Sequence, residues 1–252
     1  MDRSEKPGAG QGRGRADRFI KVLASFTAVV ALAVMIFLRP TLEESFTLHM
    51  IYHMILLGVL APSLLAAEFF LWWIPPEERE RWSLYRALRR GFSEISQPVV
   101  AFTLSTAVLW FWHIPIPYDI TLVDVPVHTL EHISILIAFL AYWAPLMPGS
   151  RLGLPTIRTN EGKALYLLAG AMQGMILGVI ITFQSQIIYL YPSTAHLPGI
   201  TLLEDQQMGG AVMWLFGAAI YTVAAILSFR SSDPGTQRDA SPARAATSGG
   251  EE

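Results

Sequence analysis

The chain has 252 residues, of which 52% are apolar, 15% are charged and none is cysteine, and its formal net charge is −2. A soluble globular domain carries about 25% charged residues, so this composition excludes an ordinary soluble enzyme, a disordered protein and a strongly basic nucleic-acid binder. The lack of cysteine excludes disulfides, thiolate metal sites and iron–sulfur clusters.

Apolar stretches follow one another along the chain: Phe19–Leu38, Phe46–Ala67, Pro98–Pro115, Val127–Met147, Ala164–Leu190 and Met208–Phe229. Of all the charged residues, only Lys21 and Glu131 fall inside them. A helix needs about 20 residues to cross a hydrocarbon core of about 30 Å. Backbone groups in lipid must be satisfied within the segment. Each stretch is therefore read as a transmembrane helix; the third is short and bounded by proline at both ends. The alternating segments of a membrane β-barrel are not seen. The first stretch has the basic flank of a signal peptide. Arg39-Pro40 follows it without a small-residue cleavage site, so it is read as a retained anchor.

The basic residues sort the loops. Arg3, Lys6, Arg13, Arg15 and Arg18 precede the first stretch, and Arg79, Arg81, Arg86, Arg89 and Arg90 follow the second. Arg151, Arg158 and Lys163 follow the fourth, and Arg230, Arg238 and Arg244 follow the last. The alternate loops hold only Arg39. Positive residues stay on the cytoplasmic side. The expected fold is thus an all-α integral membrane protein, a bundle of six transmembrane helices with both termini cytoplasmic. Residues 1–18 and 231–252 read as disordered cytoplasmic tails around a membrane domain of residues 19–230. Within 78–96, Trp82, Tyr85, Leu88, Phe92 and Ile95 alternate with arginines. This pattern fits an amphipathic helix on the membrane surface; the plain alternative is a solvated basic loop.

With this topology every histidine falls on the extracytoplasmic side. His49 and His53 open the second span, His113 ends the third, His128 and His132 open the fourth, and His196 lies in the last outer loop. His49/His53 and His128/His132 are i,i+4 pairs, which share one helix face about 6 Å apart along the axis. That spacing lets two imidazoles converge on one metal ion. The plain alternative is interfacial histidines reaching for headgroups. Two pairs on one side, with His113 beside them, favour a metal site. Glu131 shares the face of His128 and His132, and a lone carboxylate inside a span orients a ligand or carries protons. His128–His132 also fits the H-x-x-E-H protease pattern, but no substrate-binding domain surrounds it.

Imidazole suits Zn, Cu, Fe and Ni, and thioether favours Cu(I). Met50 and Met54 flank the first pair and Met208 opens the sixth span. The donor set leans towards copper, with ordinary methionine packing as the alternative. Asp205-Gln206-Gln207 opens the sixth span and reads as a helix cap, or Asp205 contacts the metal site. Gly170, Gly174 and Gly178 form a small-residue stripe that permits close helix contact. Trp110, Trp112, Tyr118, Tyr189 and Tyr191 are expected to form an interfacial aromatic belt.

Several of these segments together resemble a known family. They are His49-Met50-Ile51-Tyr52-His53-Met54 with Ala61-Pro62, Trp110-Phe111-Trp112-His113-Ile114-Pro115 with Tyr118-Asp119, His128-Thr129-Leu130-Glu131-His132 with Trp143, and Asp205-Gln206-Gln207 through Met213-Trp214. In order, over about residues 20–230, they resemble the CtaG-type assembly factors of caa-type cytochrome c oxidase. One departure is Ala66-Ala67-Glu68-Phe69, where members often carry a Gly-x-Pro turn. The resemblance implies a multi-pass protein of the bacterial plasma membrane that helps build active oxidase by delivering copper. It implies functional roles for His49, His53, His113, His128, Glu131, His132 and Asp205. The partners it implies are oxidase subunits, with an extracytoplasmic copper donor, membrane lipid and no nucleic acid. The leading expectation is a copper-handling assembly factor rather than an enzyme. A b-type haem-binding electron carrier and a metal transporter are the alternatives.

Overall fold

The computed structural model describes residues 9–37, 45–68, 82–147, 153–191 and 197–230. Every regular element among them is helical. Helix α1 is Ala9–Phe37. Helix α2, Phe46–Ile55, runs through a π-helical turn, Leu56–Leu60, into α3, Ala61–Ala66. Then come α4 (Ser83–Ile95), α5 (Pro98–Trp112), α6 (Pro115–Thr121) and α7 (Val125–Trp143), the last extended by a 3₁₀ turn, Ala144–Leu146. Helices α8 (Asn160–Thr182) and α9 (Leu202–Arg230) complete the chain.

Arg18–Phe37, Phe46–Ala66, Val125–Leu146, Asn160–Thr182 and Leu202–Ser228 are long and apolar enough to cross a membrane. The bent pair α4 and α5 gives a sixth if counted as one span. The chain is therefore a multi-pass helical membrane protein with five to six candidate spans. Helix α5 alone has 15 residues, about 22 Å at 1.5 Å per residue. The stretch read as running to Pro115 stops at Trp112. Proline pushes its predecessor out of the helical region, and Ile114 is extended at φ −69°, ψ 135°. Pro115 instead starts α6.

Helix α4 meets α5 at 83°. None of its residues is buried, and Trp82, Leu84 and Leu88 are well exposed. The amphipathic reading of this segment therefore becomes a helix lying across the bundle's end rather than a loop. Helix α1 begins at Ala9, inside the segment read as an N-terminal tail. The tail after Arg230 lies outside the described residues, as do Arg79, Arg81, Arg151 and His196.

Helix α7 packs against α3 and α5. Glu131, Ile135, Ala138, Phe139 and Tyr142 form its buried stripe. Tyr142 Oη donates to the Tyr166 carbonyl at 3.2 Å and Tyr166 Oη returns a bond to the Tyr142 carbonyl at 3.0 Å, which joins α7 to α8. Helices α8 and α9 approach backbone to backbone: a Cβ on Gly178 would lie 2.9 Å from the Gly210 carbonyl oxygen. Helix α1 packs on α2 and α3 through Ala28, Ala31 and Met35. Lys21 Nζ pairs with Glu68 Oε2 at 2.9 Å at their far end.

The π-helical turn has two contributors, Pro62 and a distant indole. The Ala61 amide bonds five residues back to the Leu56 carbonyl, and Pro62 has no amide to offer. The Leu57 carbonyl, released from its usual helical partner, accepts instead from Trp143 Nε1 at 2.8 Å. Such turns are frequent at functional sites, and this one starts just after His53.

Candidate metal centre

Helices α2 and α7 start at the same end of the bundle, and each carries its histidines in its first turns. Ser45 caps α2, its Oγ accepting from the Leu48 amide at 3.2 Å. Asp205 Oδ2 accepts from the Phe46 amide at 2.8 Å, and Thr47 Oγ1 donates to the Asp205 carbonyl at 2.8 Å. Asp124 caps α7 by accepting from the Val127 amide at 2.9 Å. These caps satisfy amides that a helix start leaves open. They also set the registers that bring His49 and His53 opposite Glu131 and His132.

The two pairs meet in the interior. His49 and His53 are each 1% exposed and Glu131 is 0% exposed. The Nε2 atoms of His49 and His53 lie 3.1 Å apart. Glu131 Oε1 is 3.5 Å from His53 Nε2, while Oε2 is 3.8 Å from His49 Nε2 and 4.0 Å from His128 Nε2. The His132 ring centroid lies 5.5 Å from that of His49, 5.2 Å from His53 and 4.5 Å from His128. One donor atom each from His49, His53, Glu131 and His132 falls within 4.8 Å of every other.

Metal–imidazole bonds of about 2.0–2.1 Å put neighbouring tetrahedral ligands about 3.3 Å apart. The closest separations here, 3.1 Å and 3.5 Å, match that edge. A fully buried carboxylate among imidazoles, with neither oxygen hydrogen-bonded among the described residues, is costly on its own. A cation between these donors would remove the cost. The buried His/Glu cluster can hold a metal ion.

Residues 15–232 match the family model described as cytochrome c oxidase caa3 assembly factor (Caa3_CtaG). The chain belongs to this family. No curated protein and no solved structure matches it.

The structure brings the expected site residues together unequally. His113 caps α5 at the edge of the cluster, its ring 5.9 Å from that of His53. Its Nδ1 contacts the Leu109 carbonyl at 2.7 Å. A carbonyl only accepts, so Nδ1 carries the proton and Nε2 the lone pair. That Nε2 is buried and has no hydrogen-bond partner among the described residues. His128 stacks on His49 at 5.2 Å.

Asp205 is not in the cluster, and it does not cap its own helix: it caps α2. Its neighbours do similar work. Gln206 Oε1 accepts from the Ile188 amide at 2.8 Å and Gln207 Nε2 donates to the Gln184 carbonyl at 2.8 Å, which fastens the 184–191 segment. Met50 is buried towards Gly209 of α9. Met54 lines an apolar cavity with Leu57, Leu109, Phe139 and Met213. Met208 is exposed.

The aromatic belt is a correction. Tyr118 is 0% exposed and Tyr189 is 2% exposed, because their hydroxyls find partners inside. Tyr118 Oη bonds Tyr191 Oη at 2.6 Å, and Tyr189 Oη donates to the His113 carbonyl at 2.9 Å. Phe46 stacks on Tyr189 at 4.8 Å, and Tyr118 lies 5.5 Å from His49. Burial, with Tyr191 beside it, pushes the Tyr118 hydroxyl well above its usual range, so it stays a neutral hydrogen-bonding group. Trp112 is buried too, donating to Ser134 Oγ at 2.8 Å, and half-buried Trp110 donates to Gln173 Oε1 at 3.2 Å. Of these rings, Tyr118 lies against His49 and Tyr189 reaches the His113 carbonyl.

Tyr52 was not expected at the site. Its ring lies 4.5 Å from His132. Its place at i+3 from His49 put it on that face, a signal masked by the adjoining histidines.

Proposed function

We propose that this protein binds copper in the His/Glu cluster and hands it to cytochrome c oxidase during assembly. The observation that carries the reading is Glu131, a wholly buried carboxylate facing His49, His53 and His128 within 4.0 Å in a chain of the caa3 assembly factor family. Imidazole ligands suit copper. The distribution of Lys and Arg supports an extracytoplasmic position for the histidine end and cytoplasmic termini. A site held just inside one end of a membrane bundle suits a membrane-bound client. The protein acts as a carrier, with the ion as its cargo, and not as a catalyst.

Two further observations bear on the alternatives. The rings of His49, His53, His128 and His132 touch one another at centroid separations of 4.5–5.5 Å, which leaves no slot for a haem macrocycle between them. Beyond the cluster the core continues as Leu57, Leu109, Ile135 and Phe139, a poor route for an ion through the membrane.

The test is a deletion strain. Its oxidase polypeptides should still be made, but oxidase copper content and activity should fall, and added copper should partly restore them. His53→Ala in stably folded protein should reproduce the defect. Full copper content and activity in the deletion strain would overturn the proposal.

A further inference from the structure

The cluster holds more donors than one ion uses. Imidazoles from His49, His53, His113, His128 and His132 surround one carboxylate, whereas an ion bound by nitrogen and oxygen commonly takes about four ligands. The carboxylate is also two-faced. Glu131 Oε1 addresses His53 at 3.5 Å, and Oε2 addresses His49 at 3.8 Å and His128 at 4.0 Å. Neither oxygen has a hydrogen-bond partner among the described residues. A single ion against one oxygen would leave the other buried and unsatisfied, which carries a desolvation cost.

His113 adds an independent observation. Its tautomer is set by the Leu109 carbonyl, 2.7 Å from Nδ1. The Nε2 lone pair is thereby presented to the interior, buried and without a hydrogen-bond partner among the described residues. His113 is 5% exposed and in ring contact with His53 at 5.9 Å. It nonetheless lies outside the set of donors within 4.8 Å of one another. His128, also outside that set, is in ring contact with His49 and His132. The histidines thus extend beyond one coordination sphere in two directions.

We propose that the centre binds two metal ions at once, bridged by Glu131. Oε1 with His53 and His113 serves one ion, and Oε2 with His49 and His128 serves the other. His132, in ring contact with His49, His53 and His128, completes the second set. Carboxylate-bridged ions sit about 3.5–4 Å apart; His53 Nε2 faces Oε1 at 3.5 Å and His49 Nε2 faces Oε2 at 3.8 Å, so each of these nitrogens can serve its own ion. Binding is ligation only: no bond to carbon forms or breaks and no electron is transferred. The inference rests on the metal-binding reading of the same cluster.

The test is stoichiometry on the purified full-length protein in detergent, loaded separately with Cu(I) under reductant and with Cu(II), then dialysed and assayed for metal. Two ions per chain are expected. His113→Asn should lower this to one: its amide can still donate to the Leu109 carbonyl, but it has no Nε2 lone pair. Glu131→Gln should weaken the second ion about 10–100-fold or more. Loaded with Cu(II), the wild type should show far less paramagnetic signal than its copper content implies, through coupling across the bridge, and His113→Asn should recover the full signal of an isolated ion. One ion in the wild type overturns the bridged pair and leaves the metal-binding reading intact. No ion overturns both. Two uncoupled ions, or two ions retained in His113→Asn, overturn the assignment of His113 and Glu131.

Discussion

The amide of Phe46 donates to Oδ2 of Asp205 at 2.8 Å, across 159 positions of sequence. The bond joins the first turn of α9 to the first turn of α2, one turn ahead of His49. A carboxylate at a helix start satisfies an open amide and complements the helix dipole. Asp205→Ala should therefore lower stability by about 1–2 kcal/mol, read as a lower unfolding midpoint in detergent. Metal affinity should weaken with it, while the number of bound ions is unchanged. Asp205→Asn, whose amide oxygen still accepts, should recover most of the loss. An ion lost with no change in the unfolding midpoint would make Asp205 a ligand instead.

Trp143 and Leu57 make a second long-range tie. The indole Nε1–H occupies the carbonyl that the π-helical turn releases, at 2.8 Å. Trp143→Phe keeps an aromatic ring against Tyr221, which stacks on Trp143 at 5.7 Å, but leaves that carbonyl unsatisfied in the core. The expected cost is about 1–3 kcal/mol, again read by thermal unfolding. Metal affinity should also fall, because the turn begins just after His53 and sets how α2 is phased against α7. Unchanged stability and affinity in Trp143→Phe would mean that the turn holds without this bond.

The glycines of α8 are not equivalent. A Cβ on Gly178 would lie 2.9 Å from the Gly210 carbonyl and 3.0 Å from the Trp214 amide, both backbone atoms that cannot rotate away. A Cβ on Gly174 meets nothing within 4 Å, and Gly174 lines the apolar cavity beside Met54. Gly178→Ala should force α8 and α9 apart and lower the unfolding midpoint by several degrees. Gly174→Ala should be neutral or slightly stabilising. Equal effects from the two would contradict the packing described.

The parts legible in the sequence are those set by local spacing. Span lengths follow from bilayer thickness, and the i,i+4 histidine pairs follow from helix geometry. The alternation of helix direction then brings both pairs to one end. The centrality of Glu131 was only half legible: its face was evident, but its distance from His49 and His53 depends on how α2 packs on α7. Asp205 illustrates the limit, since its partner lies on a distant helix and a cap on its own helix has the same sequence pattern. The burial of the aromatic residues is illegible for a related reason. A tyrosine near a span's end looks the same whether its hydroxyl reaches headgroups or, like that of Tyr189, reaches the His113 carbonyl. The π-helical turn left no periodic trace, because its cause is split between Pro62 and Trp143.

The side of the membrane nearest the His/Glu cluster decides which clients the proposed function allows. The chain has no cysteine, so single introduced thiols can report it without background. Val123, between α6 and α7 at the histidine end, is 84% exposed. Ala87 is exposed on the face of α4 that carries Arg90 and Glu94, at the opposite end. Arginines of α4 and of the neighbouring segments should hold that end in the cytoplasm. A membrane-impermeant maleimide should therefore label Val123→Cys in intact cells and Ala87→Cys only after lysis. Both substitutions are at exposed positions and should leave stability within about 0.5 kcal/mol of wild type. The reverse labelling pattern would turn the bundle over, put the His/Glu cluster next to the cytoplasm and rule out loading of an oxidase centre from the outer face.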